Sequence, residues 1–164
     1  MTRTLILMRH AKSSWDHPTL SDHDRPLNSR GQRAARSLGK WLAAQPWQPD
    51  QALVSSAVRT RQTYAGLDLS LPADFTPSLY HADSAAMQMV LEMAQGDTVL
   101  MIGHNPGISI FAAEMVAQPP DHPRFRDFPT GATVIVEFDI DHWSQIDPGT
   151  GRVLDFVIPR ELPD

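Results

Sequence analysis

Three short apolar runs, each followed at once by basic or imidazole side chains, constrain the fold of this chain more than any other feature. The runs are TLILM (4–8), QALV (51–54) and TVLMIG (98–103), and each has the length and composition of a buried strand. Segments with helical periodicity separate them. Such alternation predicts a layered α/β fold with a mainly parallel sheet.

Capping residues mark where the first two helices should begin. Asn28 precedes RGQRAARSLGKWLAAQ, in which apolar residues recur at helical spacing. Ser55 or Ser56 is placed to cap a second helix that runs to about Gly66. The segment before the first helix, SDHDRPL (21–27), has the character of a turn or loop.

The middle of the chain predicts two more helices. A weak strand in DFTPSLY is followed by Asp83 or Ser84, either of which can cap a helix in SAAMQMVLEMA. Asn105 is a good N-cap, and Pro106 occupies the favoured first position of a helix in PGISIFAAEMVA.

The last third of the chain predicts a surface loop and antiparallel strands. QPPDHPRFRDFP (118–129) is rich in proline and should form one long loop. ATVIVEFDI is strand-like, and the turn signal DPGTG (147–151) separates HWSQI from RVLDFVI. We therefore expect a C-terminal β-hairpin, within a single domain that spans residues 1–164.

Composition excludes several classes of function. The chain has 14 Lys and Arg against 19 Asp and Glu, a net charge of −5, which disfavours nonspecific nucleic-acid binding. It has no cysteine, so disulfides, thiolate zinc sites and a thiol nucleophile are excluded. No apolar run is long enough to cross a membrane, and we expect a cytoplasmic protein. Metal-binding, P-loop and serine-hydrolase motifs are also missing from the sequence.

The residues that follow the three strands should meet. Arg9 and His10 follow the first strand, Arg59 lies just after the second, and His104 follows the third. In a parallel sheet the carboxyl ends of the strands share one edge, where ligands bind. Two arginines, two histidines and nearby helix N-termini at that edge are typical of an anion site.

Histidine at this edge indicates chemistry as well as binding. Arginine alone would serve to hold an anion, whereas histidine can lose its charge near neutral pH. Neighbouring arginines should lower the pKa of His10 and leave a neutral ring facing an electrophilic phosphorus. Each motif by itself is also compatible with a capped turn or a solvated basic face, so their convergence carries the interpretation.

The motifs LILMRHAKSSW, RPLNSRGQRAA, LVSSAVRTRQT and VLMIGHNPGI, in that order, resemble the histidine phosphatase superfamily, the phosphoglycerate mutase-like fold. The resemblance covers nearly the whole chain. Its short length makes it most similar to the SixA-type phosphohistidine phosphatase branch. The resemblance implies a three-layer α/β/α sandwich and a phosphatase that needs no metal or other cofactor.

The same resemblance assigns roles to residues of this chain. His10 would be the phosphorylated nucleophile, Arg9 and Arg59 would bind phosphoryl oxygens, and His104 would donate to the phosphoryl group. The family usually has glycine where this chain has Ala11, which should be tolerated if its φ is negative.

Further residues are candidates for binding substrate. Arg25, Lys12 and Asn105 lie close to these motifs in sequence. Arg25 could equally form a loop ion pair, Lys12 could be a solvated side chain, and Asn105 could act as a helix cap.

This sequence departs from the pattern of the family at the position of the general acid. Other branches place a glutamate after the second strand, but this region reads SLYHADSAAM, with only His81 and Asp83 as candidates. Asp83 could instead cap the following helix. A site with weak general-acid catalysis is better suited to hydrolysing an N–P bond than an alkyl phosphate, because imidazole leaves more readily than an alkoxide.

Three hypotheses follow. The first is a phosphatase for phosphohistidine on a protein. The second is a phosphatase for small phosphate esters with Asp83 as the acid. The third is a non-catalytic module that binds phosphate or a phosphoprotein.

Overall fold

The computed structural model describes residues 1–164 and contains six strands and four α-helices. In chain order they are β1 Arg3–Arg9, α1 Ser29–Ala43, β2 Gln51–Ser55, α2 Val58–Leu67, β3 Ala73–Thr76, α3 Ser84–Glu92, β4 Thr98–Gly103, α4 Gly107–Met115, β5 Thr133–Phe138 and β6 Arg152–Val157. Three short 3₁₀ helices cover Pro77–Leu79, Trp143–Gln145 and Pro159–Glu161. None of the helices combines the length and the hydrophobicity that a membrane-spanning helix requires.

All six strands form one sheet in the order β3-β2-β4-β1-β5-β6. The pairs β3/β2, β2/β4 and β4/β1 are parallel, whereas β5 runs antiparallel to both β1 and β6. The predicted α/β fold with a mainly parallel sheet is therefore confirmed. Strands β2, β4 and β1 are adjacent, so the residues that follow them emerge side by side.

Alternating side chains of the central strands build a core on each face of the sheet. Leu5 and Leu7 of β1 point into a cluster with Phe111 of α4, while Ile6 and Met8 point into a second cluster beneath α1 and α2. These positions of β1 are at most 1% exposed, because the sheet is covered on both faces. The three-layer α/β/α sandwich is thus confirmed.

The helix starts agree with the capping signals in part. The side chains of Asn28 and Asp83 accept hydrogen bonds from the backbone N–H groups of Gly31 and Ala86, both at 2.8 Å, and cap α1 and α3. The prediction that Ser55 or Ser56 caps α2 is wrong. Ala57 is the N-cap of this helix, and its side chain makes no capping hydrogen bond.

The helix α4 begins one residue later than predicted. Pro106 is its N-cap, and Gly107 is its first residue. Asn105 still contributes, since its Oδ1 accepts a hydrogen bond from the N–H of Ser109 at 3.2 Å.

The C-terminal strands pair as a hairpin, although not with the arms that the sequence suggests. β5 pairs antiparallel with β6 across a long connection, residues 139–151. The segment HWSQI is not a strand but contains the 3₁₀ helix Trp143–Gln145. Trp143 is 1% exposed and its indole N–H donates to the carbonyl of Gly96 at 2.7 Å, so burial of this ring overrides a strand conformation.

Candidate active site

The carboxyl edge of the sheet forms a pocket of about 280 Å³ that brings together all four residues singled out after the strands. Arg9 ends β1 and His10 follows it, Arg59 lies in the first turn of α2, and His104 follows β4. The side chains of His10, Arg59 and His104 are 4–6% exposed. The topology of adjacent parallel strands is what assembles them.

His10 is held in one orientation and one tautomer. Its backbone N–H donates to the carbonyl of Gly103 at 3.2 Å, and its ring Nδ1 lies 2.7 Å from the carbonyl oxygen of Ala11. A carbonyl can only accept, so Nδ1 carries the proton and Nε2 keeps its lone pair. Burial, and then the charges of Arg9 and Arg59, lower the pKa of His10 to about 3. The ring is therefore neutral at neutral pH.

The backbone after His10 is fixed by α2. The N–H of Ala11 donates to Oγ1 of Thr63 at 3.0 Å, and the Thr63 hydroxyl donates to the carbonyl of Arg59 at 2.8 Å. Ala11 is fully buried and is not among the residues with positive φ, so alanine fits here without strain.

His104 stands beside His10 with one unpaired nitrogen. The centroids of the two rings are 5.2 Å apart. Nε2 of His104 is hydrogen-bonded to the hydroxyl of Ser55 at 2.7 Å, whereas Nδ1 is buried and has no partner. Burial, together with His10 and Arg59, lowers the pKa of His104 to about 2. A phosphoryl oxygen would satisfy this orphaned nitrogen.

Three arginines leave buried donors unpaired around the same pocket. Nε of Arg9, Arg25 and Arg59 is in each case buried without a hydrogen-bond partner. Arg9 is otherwise held by its Nη1, which donates to the carbonyl of Phe128 at 3.1 Å. Buried donors that are left unpaired are costly, so their convergence indicates a site built for an anion.

Asp22 is the main residue of the site that the sequence did not single out. Its carboxylate accepts from Arg59 at 3.0 Å, from Arg25 at 3.1 Å and from the hydroxyl of Tyr80 at 2.7 Å. Burial raises the pKa of Asp22, but these hydrogen bonds outweigh it and hold the pKa well below its usual range. Asp22 thus fixes two arginines as an ionised carboxylate.

The sequence held a signal for Asp22, although a weak one. It lies three residues before Arg25 in a polar loop, a spacing that allows an ion pair. Nothing in the loop sequence indicates that it also reaches Arg59, 37 positions later.

The other predicted site residues divide into those that line the pocket and those that do not. Lys12, Arg25 and Asn105 line it. Nδ2 of Asn105 also donates to the carbonyls of Asp127 and Phe128, so this side chain braces the loop that holds Arg9. Asp83 caps α3 and is not part of the lining.

The rim of the pocket carries large exposed side chains. Trp15 is 74% exposed, and the guanidinium of Arg25 stacks over its ring at 3.8 Å. The side chain of His81 is 67% exposed and its Nε2 lies 3.7 Å from the Asp22 carboxylate. The pocket therefore opens to solvent between an indole and an imidazole.

The charges of the lining suit a phosphoryl group. The lining contains a single carboxylate, Asp22, and four cationic side chains, those of Arg9, Lys12, Arg25 and Arg59. The two buried histidines, His10 and His104, are neutral. Fixed donors of this kind stabilise charge on the equatorial oxygens during phosphoryl transfer. No group of three or more His, Cys, Asp or Glu side chains is arranged to hold a metal ion.

Burial of the two neutral rings predicts that the protein is less stable at pH 5 than at pH 7. Unfolded histidine takes up a proton near pH 6.5, whereas folded His10 and His104 do so only near pH 3 and 2. Below about pH 6.5 the unfolded state binds more protons, so each ring lowers the free energy of unfolding by up to about 1.4 kcal/mol per pH unit. Urea unfolding at both pH values measures this loss.

The matched variant for this measurement is the His10→Gln/His104→Gln double substitution. It removes both titrating rings, so its stability should fall less between pH 7 and pH 5 than that of the wild type. An equal fall in both proteins would contradict the low pKa values.

Comparison with known proteins places this geometry in a family. A family model described as the histidine phosphatase superfamily (branch 1) matches residues 5–83. An uncharacterized protein of Mycobacterium tuberculosis is 34% identical over 163 residues, covering 93% of this chain and all of the relative. Phosphohistidine phosphatase SixA of Escherichia coli is 30% identical over 119 residues, covering 68% of this chain and 73% of SixA.

Solved structures with the same fold include three that are described as SixA. A candidate phosphohistidine phosphatase SixA from Nakamurella multipartitia has a TM-score of 0.85 at 29% identity and covers 97% of both chains. The protein histidine phosphatase SixA in complex with tungstate has a TM-score of 0.72 at 28% identity, covering 96% of this chain and 97% of that one. Tungstate is a tetrahedral oxyanion, as phosphate is.

Proposed function

This chain belongs to the histidine phosphatase superfamily and is a phosphatase, and on that premise we propose that it hydrolyses phosphohistidine on a protein through a phosphorylated His10. The observation that carries the proposal is the state of His10. Its Nδ1–H is tied to the carbonyl of Ala11, which leaves a neutral Nε2 among four cations.

In the first step the lone pair of His10 Nε2 attacks phosphorus and the N–P bond of the substrate breaks. Arg9 and Arg59 bind the phosphoryl oxygens, and Nδ1–H of His104 donates to one of them while the Ser55 hydroxyl donates to Nε2. The phosphorylated ring of His10 then carries a positive charge, which the Nδ1–H bond to Ala11 stabilises.

In the second step water attacks phosphorus from the side opposite His10. The bond between phosphorus and Nε2 breaks, the electron pair returns to the ring, and phosphate leaves. Because Nδ1 keeps its proton throughout, the ring departs neutral and needs no proton from a general acid. The water gives up one proton, which solvent accepts.

The protonation states in the pocket support an N–P substrate over an alkyl phosphate. A phosphohistidine protonated on its other ring nitrogen leaves as neutral imidazole, whereas an alcohol leaving group needs a proton in the transition state. Asp22 is ionised, and His10 and His104 have pKa values far below 7. None of the three is an effective acid at neutral pH.

A protein substrate is supported by the shape of the rim and by the relatives. Trp15 and His81 project into solvent above a deeply buried histidine pair, so a side chain that protrudes from another protein could enter. One similar structure is described as a protein histidine phosphatase.

The test compares a phosphohistidine peptide with a small phosphate monoester. We expect kcat/KM to be at least about 100-fold higher for the phosphohistidine peptide, the scale of effect that a general acid would otherwise supply for the ester. A higher kcat/KM for the monoester would replace the proposal with a small-molecule phosphatase. Turnover of neither substrate would favour a binding module.

The variants Asp83→Asn and His81→Gln identify the acid behind any monoester turnover. Asparagine caps helices as well as aspartate does, so Asp83→Asn should leave α3 intact. We expect neither substitution to lower phosphohistidine turnover by more than about threefold, and His81→Gln to lower monoester turnover more than Asp83→Asn does, since only His81 lines the pocket. Equal losses on both substrates would contradict the leaving-group argument.

A further inference from the structure

A second cavity, of about 400 Å³, adjoins the catalytic pocket. Arg9, Lys12 and Thr130 line both spaces, so the two lie side by side. The second cavity lies between the first two turns of α1, the segment 124–130 and the 3₁₀ helix Pro159–Glu161. We refer to it as the basic cavity.

Positive charge from distant parts of the chain converges on the basic cavity. Besides Arg9 and Lys12 it is lined by Arg30 of α1, Arg160 near the C-terminus and Arg124. Its single carboxylate, Asp127, forms an ion pair with Arg124 at 2.9 Å. Lys12, Arg30 and Arg160 have no carboxylate within 4.0 Å, although the whole chain has a net charge of −5.

The catalytic mechanism does not use these outer cations. Phosphoryl transfer at His10 engages the buried donors of Arg9 and Arg59, whereas Arg30 and Arg160 are exposed and line only the basic cavity. Arg30 and Arg160 bring two exposed guanidinium groups to this one cavity, and neither is paired with a carboxylate. Their planar forks suit a carboxylate.

We propose that the basic cavity binds a carboxylate side chain that neighbours the phosphohistidine in the protein substrate. The inference rests on the proposed function and names the partner more closely: a phosphoprotein whose phosphohistidine is flanked by Asp or Glu. Because Arg9 lines both spaces, that carboxylate would lie close to the phosphoryl group.

The openness of the basic cavity favours an acidic protein segment over a small molecule. Small ligands are usually enclosed by largely apolar walls. Here only two of the eleven lining residues are hydrophobic, and Lys12, Arg30 and Arg160 are exposed to solvent. Exposed cations of this kind attract and orient an acidic surface.

The test uses two phosphohistidine peptides that differ only in Glu or Gln beside the phosphohistidine. We expect wild-type kcat/KM to be about tenfold higher for the Glu peptide, mainly through KM, as several exposed charge pairs would give. In the Arg30→Gln/Arg160→Gln double variant the ratio should fall towards one. High salt should reduce the wild-type ratio as well.

Arg33→Gln is the matched control. Arg33 is exposed on the same helix as Arg30 but does not line the basic cavity, so its removal should preserve the ratio. A ratio near one in the wild type, or an equal fall in the control and the double variant, would overturn the inference.

A binding measurement distinguishes failure of this inference from failure of the proposed function. The same peptides without phosphate are titrated calorimetrically against wild type and the double variant. Tighter binding of the Glu peptide to wild type alone, without hydrolysis of any phosphohistidine, would keep the basic cavity and refute the function. Hydrolysis of both phosphopeptides at one rate would keep the function and refute the role of the cavity.

Discussion

Replacement of His10 by alanine is expected to lower kcat by at least about 10⁴-fold, because the variant has no atom to accept the phosphoryl group. Water alone would have to attack the substrate directly. The arginines and His104 would still stabilise the transition state, so a trace of turnover over the uncatalysed rate is expected. Initial rates on a phosphohistidine peptide measure the loss.

The same variant should keep much of its affinity for an oxyanion. Arg9, Arg25 and Arg59 retain their contacts with Phe128, Ser13 and Asp22, none of which involves His10. Titration with tungstate tests this, and thermal unfolding shows whether the variant is folded. Activity within tenfold of the wild type would contradict the assignment of the nucleophile.

Arg59→Lys is expected to lower kcat/KM by about 10²- to 10³-fold, as loss of one transition-state donor does in other enzymes. Arg59 uses Nη1 and Nη2 to hold the backbone carbonyl and the carboxylate of Asp22, at 2.7 and 3.0 Å, and its Nε is buried without a partner. A lysine ammonium is a single point of charge and cannot make these contacts together. The loss of its hold on Asp22 should also loosen Arg25.

Arg61→Lys is the control for that substitution. Arg61 lies two residues along α2 and is exposed, with its Nε donating to the carbonyl of Ser56 at 2.9 Å. We expect kcat/KM of this variant to stay within about threefold of the wild type. Similar losses of kcat/KM in both variants would show that the planar guanidinium of Arg59 is not required for catalysis.

The sequence predicted the sheet well because buried parallel strands have a strong local signal. TLILM, QALV and TVLMIG became β1, β2 and β4 within a few residues. The C-terminal region was less predictable, since HWSQI has strand-like composition but Trp143 is better buried against the core in a 3₁₀ turn. Long-range packing, and not local propensity, determined the conformation of that segment.

The positions of the candidate site residues were most predictable where residues follow strands. Arg9, His10 and His104 could be placed by topology alone, because adjacent parallel strands end at one edge. Asp22 and Tyr80 lie in loops whose paths the sequence does not determine, and they reach the arginines from across the pocket. Ser55 or Ser56 was predicted to cap α2, but the hydroxyl of Ser55 is hydrogen-bonded to Nε2 of His104 instead.

The most direct test of a covalent phosphohistidine mechanism is a rapid-quench trap. The protein is mixed with a phosphohistidine peptide, quenched in alkali within milliseconds and analysed by mass spectrometry, with the His10→Ala variant in parallel. The mechanism predicts a phosphoryl group on His10 of the wild type that forms and decays at the rate of turnover, and none on the variant. Full turnover with no phosphoryl group on His10 at any time would contradict it.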